Sequence, residues 1–403
     1  MKKNIFLINF NEKILVLFFI LFSLFFNQYY GNRGVFPIDS FLHFDVSYRI
    51  LNGENPFSDF WTVSGPAVDY MQAVFFYIFG ANWNSYVLHA SLVNVLITIT
   101  TFVVLKNFKL KINYCFLYSF LFSILAYPSS GTPFVDHHSA FFSLMGIYFL
   151  LLGIKNKKKI YWILMPIFLE IAFFCKQVPA SYVILSVCLI LILHSFKNKT
   201  FKYINYSFIS FLSFTILVLI FGNFQEIKFS SFIEQYILYP QTIGSERYEN
   251  FNFTFVGIIN HFKFIYLAFI PMFYFYLKNF NIEKKNIQND KIFILLIWFF
   301  YTFSLILHQL LTKNQTFIFF LIPLLIAFSH IGLDNTKLKF KNLFYILIIL
   351  FCVFSVFKYH LRFNENRKFH EMADVNFELA LDAKKIHNKL SGLNWISPTF
   401  KSK

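Results

Sequence analysis

Residues 130–142, SGTPFVDHHSAFF, set Asp136, His137 and His138 side by side directly before an apolar stretch. Carboxylate and neutral imidazole both ligate divalent ions, so Asp136 and His138 are a candidate pair for Mg or Mn; the same residues also suit a helix N-terminus with interfacial histidines. A charged group at mid-membrane costs roughly 2.5–3.5 kcal/mol on insertion scales and less near the interface, so such a cluster is expected to face water or its own kind. A second group lies in FPIDSFLHFD, where Asp39, His43 and Asp45 follow a proline. On a helix Asp39 and His43 share a face, although Asp after Pro is also an ordinary helix start.

Further along, AFFCKQVPASY places Lys176 and Gln177 between two apolar runs. An ammonium there either meets a lipid phosphate or snorkels toward the headgroups, and Glu170, six residues earlier, is a candidate counter-ion. In EQYILYPQTIGSERYEN, Glu234, Tyr236, Tyr239 and Arg247 are mixed with turn residues, and Arg is the preferred bidentate partner of phosphate. LHQLLTKNQTFIFF adds His308, Gln309 and Gln315, which either read sugar hydroxyls or bond helix to helix.

The elements that must position these groups are membrane spans. The 403 residues are 57% hydrophobic and only 14% charged, against roughly 25% charged in soluble domains. Apolar runs predict about eleven transmembrane helices in an all-α polytopic membrane protein, at 14–30, 84–105, 112–128, 138–154, 160–175, 179–195, 204–222, 255–277, 291–311, 315–332 and 342–358. Residues 1–30, with a basic start and no small-residue cleavage site, read as an uncleaved signal anchor. With the N-terminus inside, the short lysine-rich loops at 106–111, 155–159, 197–202, 278–291 and 337–341 all fall in the cytoplasm. That topology accounts for the net charge of +16 without nucleic acid. The four cysteines lie inside apolar runs and form no CxxC site, and no nucleotide-binding or hydrolase motif stands in a supporting context.

Three outer segments then stand out: 31–83, 129–138 and 223–254. The first is longer than a connection requires, and its FLHFDVSYRILNG and AVDYMQAVFFYIFG stretches predict two surface helices ending at glycines. Residues 84–358 form the transmembrane core. The tail, 359–403, is sent outside by an odd number of spans, and its KKIHNKLSGLNWISPTF stretch reads as a helix followed by a strand.

The segment from PIDSFLHFD through ILNG, PFSDF, GP and YIFG resembles the first outer loop of the C-type membrane glycosyltransferases (GT-C) that use polyprenyl-phosphate sugars, among them protein O-mannosyltransferases and lipid A aminoarabinose transferases. The resemblance covers residues 14 to 330 in pattern and order. It implies that Asp39 holds the family's acidic general-base or ligand position; where many members carry a second acid, this chain has Ser40. VDHH is similar in placement to the Asp-x-Asp or Asp-x-His motif with which related oligosaccharyltransferases hold a divalent metal, and KQ after the fifth span resembles the same pair in bacterial members. The family implies an inverting transferase in the bacterial inner membrane with its active site on the periplasmic side. It would pass a sugar from a polyprenyl-phosphate donor to an envelope glycan, lipid or protein. A flippase for lipid-linked saccharide is the alternative, and it predicts symmetric broken helices that the sequence lacks.

Overall fold

The computed structural model describes residues 10–32, 39–63, 65–126, 131–249, 251, 254–278, 285–312, 318–365, 377–392 and 394–395. In chain order the helices are α1 (Phe10–Gly31), α2 (Asp39–Leu51), α3 (Pro66–Phe79), α4 (Trp83–Asn107), α5 (Ile112–Leu125), α6 (Val135–Asn156), α7 (Lys159–Cys175) and α8 (Gln177–Asn198). They continue as α9 (Lys202–Phe224), α10 (Phe229–Phe232), α11 (Tyr239–Glu249), α12 (His261–Lys278), α13 (Lys285–Thr312), α14 (Leu321–Asp334) and α15 (Lys341–His360). Each of the eleven apolar runs is a helix. Among the described residues, eight are long and apolar enough to cross a membrane. Two of the remaining three, α5 and α14, have 14 residues each, about 21 Å of helix against a hydrocarbon core of about 30 Å. Residues 321–333 of α14 are all buried, so this short helix is covered by protein and not by lipid.

α6 is the hub. From Asp136 to Ile154 every side chain except Phe149 is buried, with α7 as its main neighbour. Gly153 is seated against the ring of Trp162 on α7 and Gly146 against Leu169, and a Cβ at either would meet those side chains at under 3 Å. α9 shows the opposite pattern. Its Phe208, Ile209, Ile216, Leu217, Ile220 and Phe224 are exposed, far more contiguous apolar surface than a water-facing helix carries. The chain is therefore a multi-pass membrane protein whose inner helices are covered by protein and whose outer ones meet lipid.

The two ends of the bundle differ in chemistry. At one end the turns carry Lys106, Lys109, Lys111, Lys155, Lys157, Lys158, Lys159, Lys197 and Lys199, and three of these, Lys109, Lys157 and Lys199, take left-handed conformations just beyond helices α4, α6 and α8. The other end carries α2, α3 and the helical segment 229–249. The loop between α2 and α3 docks there: Gln235 donates to the Phe57 carbonyl at 3.0 Å and accepts from the Thr62 amide at 3.0 Å.

Two sequence expectations need correction. Residues 234–249 do not form a turn-rich loop; α10, a π turn at Ile233–Leu238 and α11 run on as one helical segment. Pro240 is tolerated because it follows that π turn, where the hydrogen-bond ladder is already widened. In the described residues from 377 on, 3₁₀ turns stand where a helix is expected, and a strand does follow: β2 (Asn394–Trp395) pairs antiparallel with β1 (Leu381–Asp382).

Candidate functional site

The N-terminus of α6, the α7–α8 junction and the C-terminus of α13 converge at the end of the bundle opposite the lysine turns. Phe134, not Asp136, is the N-cap of α6, and Asp136 enters its first turn, where the helix dipole favours a carboxylate. Its Oδ2 accepts from Lys176 Nζ at 2.7 Å, and its Oδ1 meets His308 Nε2 in a short hydrogen bond. Lys176 is positioned by its backbone: α7 stops at Cys175, Lys176 is extended (φ −160°, ψ 135°), and α8 begins at Gln177. Ser139, on the second turn of α6, donates to the Lys176 carbonyl at 3.1 Å and pins that junction.

A cavity of about 730 Å³ opens over this triad. Its walls bring together His43 from α2, Asp136, Lys176, Gln177, Arg247 from α11, and His308. The Gln177 amide donates to the Tyr236 carbonyl, and the Tyr236 hydroxyl donates to the Phe173 carbonyl at 2.6 Å, so the α7–α8 junction and the π turn are tied to each other. Tyr182 and Tyr248 join their hydroxyls at 2.7 Å along the same wall.

The close approach of α3 to this junction explains the GP pair of the first loop. Gly65 is the N-cap of α3, and a Cβ there would stand 1.7 Å from the Cys175 carbonyl oxygen; Pro66 then supplies the helix-compatible φ at the first helical position.

Other sequence candidates are placed differently. His138 donates Nδ1–H to the Phe134 carbonyl at 3.0 Å and turns Nε2 toward His89 Nε2 at 3.2 Å, away from the Asp136 carboxylate. His137 is buried between the rings of Phe134 and Phe141 and does not line the cavity. Gln309 is likewise buried outside it. Asp45 is exposed, on the side of α2 away from buried His43. Tyr239 packs edge-on against Trp61 at 5.6 Å. Glu170 is not the counter-ion of Lys176: it accepts from Thr215 on α9 at 2.8 Å, while Lys176 pairs with Asp136. Asp39 is the first residue of α2, one turn before His43; its side chain, that of Ser40, and Gln315 lie outside the described residues.

Three groups absent from the sequence candidates are buried beside the site without lining the cavity. Asp69 on α3, 1% exposed, holds His43 Nδ1 at 2.9 Å. Gln72, one turn on, holds His89 Nδ1 at 3.0 Å. Since His138 donates at Nδ1, its neutral ring accepts at Nε2 and His89 Nε2 must donate. A neutral His89 then accepts at Nδ1, which requires the Gln72 amide to present its NH₂, a turn that also gives the otherwise unpartnered Gln72 Nε2 a bond. Each of the three was marked in the sequence as a polar residue inside an apolar helix, the kind of position that carries function in a membrane.

The described side chains do not form the expected metal site. Among the described residues no three His, Cys, Asp or Glu side chains gather to hold an ion. Both Asp136 oxygens are engaged, and the Lys176 ammonium stands where a cation would. No protein-family model matches the chain, and no curated protein matches it.

Proposed function

We propose that this protein is a membrane glycosyltransferase that takes a sugar from a polyprenyl-phosphate donor and passes it to a hydroxyl of a cell-envelope acceptor. The lysine turns would face the cytoplasm and the cavity the outer side of a bacterial inner membrane. The observation that carries the proposal is the cavity itself: an ammonium, a guanidinium, a carboxylate and two imidazoles at one end of an all-α bundle, under a long loop built of two short helices.

In this mechanism the donor's phosphate is held by Lys176 and Arg247. Lys176 spends one of its three donors on Asp136, which with His308 fixes the ammonium's position, and the others are available to phosphate oxygens. Asp39 accepts the proton of the acceptor hydroxyl as its oxygen attacks the anomeric carbon; the bond from that carbon to the phosphate oxygen breaks, and the electron pair leaves on the lipid phosphate. The two cations stabilise that departing charge, a role that needs no metal. A single displacement inverts the anomeric centre. His43, one turn after Asp39 in α2 and with Nδ1 anchored on Asp69, would act as the positioning residue.

The test is sugar release from radiolabelled polyprenyl-phosphate hexoses by the purified protein in lipid. Turnover should fall by about 10²–10⁴-fold in Asp39→Asn, while Lys176→Gln should act chiefly on the donor's KM. Donor turnover that survives both substitutions would refute the assignment.

A further inference from the structure

We propose a second anionic site, separate from the cavity of Asp136 and Lys176, in which the ends of α12 and α15 hold a lipid-borne phosphate. The site is a small hollow of about 160 Å³, roughly five times a water molecule's share of liquid volume, which suits one phosphate group and not a glycan. Lys263 reaches it from α12; Lys358 reaches it from α15, and Arg362 from the π turn Leu361–Glu365 that follows.

The charge balance of this hollow is one-sided. Among the described residues no carboxylate lies within ion-pairing distance of Lys263, Lys358 or Arg362. Glu365, three residues past Arg362, is engaged by the Tyr30 hydroxyl and lies 3.8 Å from His360. Lys358 and Arg362 stand one turn apart, a spacing at which like charges repel, so an anion between them relieves a cost the fold otherwise carries. Lys263 is oriented by Asn260 Oδ1 at 2.7 Å, and Lys358 lies over the Phe264 ring at 4.4 Å, which leaves both ammonium groups beside the hollow.

The surroundings identify the ligand as a lipid. Val256 forms the lip at 66% exposure, and Phe354 and Phe357 on α15 are exposed along the same seam, where Phe264 meets Phe351 at 5.9 Å and Phe354 at 6.2 Å. A cationic hollow above an exposed aromatic seam matches a phosphate head with its acyl or prenyl tail lying down the helices.

Native mass spectrometry of the full chain, titrated with phosphatidylglycerol or phosphatidylcholine with and without millimolar inorganic phosphate, tests this. The wild type should retain phosphatidylglycerol in preference to phosphatidylcholine, and the Lys358→Gln/Arg362→Gln variant should bind it about tenfold or more weakly. Lys278→Gln, at the other end of α12, should bind as the wild type does. Because Lys263 is exposed, Lys263→Gln supplies a weakened variant whose fold is not at risk should the double variant melt early. Unchanged binding in the variants, or an equal loss in Lys278→Gln, would overturn the site. Displacement by inorganic phosphate alone would overturn its assignment to a lipid.

Discussion

Asp136 is held by an ammonium from the α7–α8 junction and an imidazole from α13, so one carboxylate ties α6 to two segments 40 and 172 residues further along the chain. Removing one partner of a buried pair costs about 3–5 kcal/mol when the other charge is stranded. Lys176 is about a quarter exposed and can turn toward water, which places Asp136→Ala at the lower end of that range, while Asp136→Asn keeps an acceptor and costs less. Thermal melting in detergent should order the proteins as wild type, Asn, Ala; identical melting would show the pair to be worth no more than a surface ion pair. Asp69 tests positioning. Asp69→Asn keeps the shape but removes the charge that orients His43, and under the proposed chemistry it should lower kcat by about a hundredfold while leaving the donor's KM in place. At this scale the sequence disclosed which residues were unusual but not which would meet. His43, Asp136, Lys176 and His308 stand in or beside short polar clusters at the ends of apolar runs; Asp69 and His89 have no His, Lys or acid beside them in sequence, and only the fold brings them to His43 and His138. The pairing of Lys176 with Asp136 instead of Glu170 is a tertiary fact: the nearer residue in sequence sits six positions back along α7, where Thr215 reaches it first.

At the scale of elements, the apolar runs located eleven helices because a hydrocarbon core demands a fixed length of uninterrupted apolar chain, and that demand is local. Where no such demand acts, the expectations failed. Residues 229–249 contain Pro240 and Gly244, which read as punctuation, yet packing on the α2–α3 loop through Gln235 and Tyr236 and the widening of a π turn keep the segment helical. Gly65 shows the reverse, a local residue fixed by a distant contact. Gly65→Ala would drive a methyl group into the Cys175 carbonyl, push α3 off the end of α7 and displace Lys176; overpacking of this kind costs about 1–3 kcal/mol, and here it acts at the cavity wall. Gly53→Ala is the matched control. Gly53 has φ +88° and nothing within 4 Å of an added Cβ, so the substitution strains a surface turn without touching the site. Gly65→Ala should therefore lose donor turnover as well as melting temperature, and Gly53→Ala melting temperature alone.

At the scale of the molecule, the tail settles a question that charge counting leaves open. Its Lys and Arg content favours the lysine end, whereas the odd number of spans expected from the sequence sends it to the other. Ala383 is buried in a cluster with Phe76, Trp83, Tyr86 and Val87, Lys389 lies 3.8 Å over the Tyr48 ring, and Trp395 meets Phe41 at 6.3 Å. The described part of the tail thus rests on α2, α3 and the start of α4, at the same end as the cavity, and its Lys389 packs on an aromatic ring. Loop and tail must then share one side of the membrane and the lysine turns the other. In a background carrying Cys188→Ser, which removes the exposed cysteine and leaves three buried ones, a membrane-impermeant maleimide should label Asn52→Cys and Lys385→Cys on intact spheroplasts. Lys158→Cys should be labelled only after the membrane is opened. Labelling of Asn52→Cys and Lys385→Cys from opposite sides would undo the docking of the tail. If both were reached only from the cytoplasm, the cavity would open to the side where nucleotide sugars are made, and an activated lipid donor would no longer be required to bring sugar to Lys176.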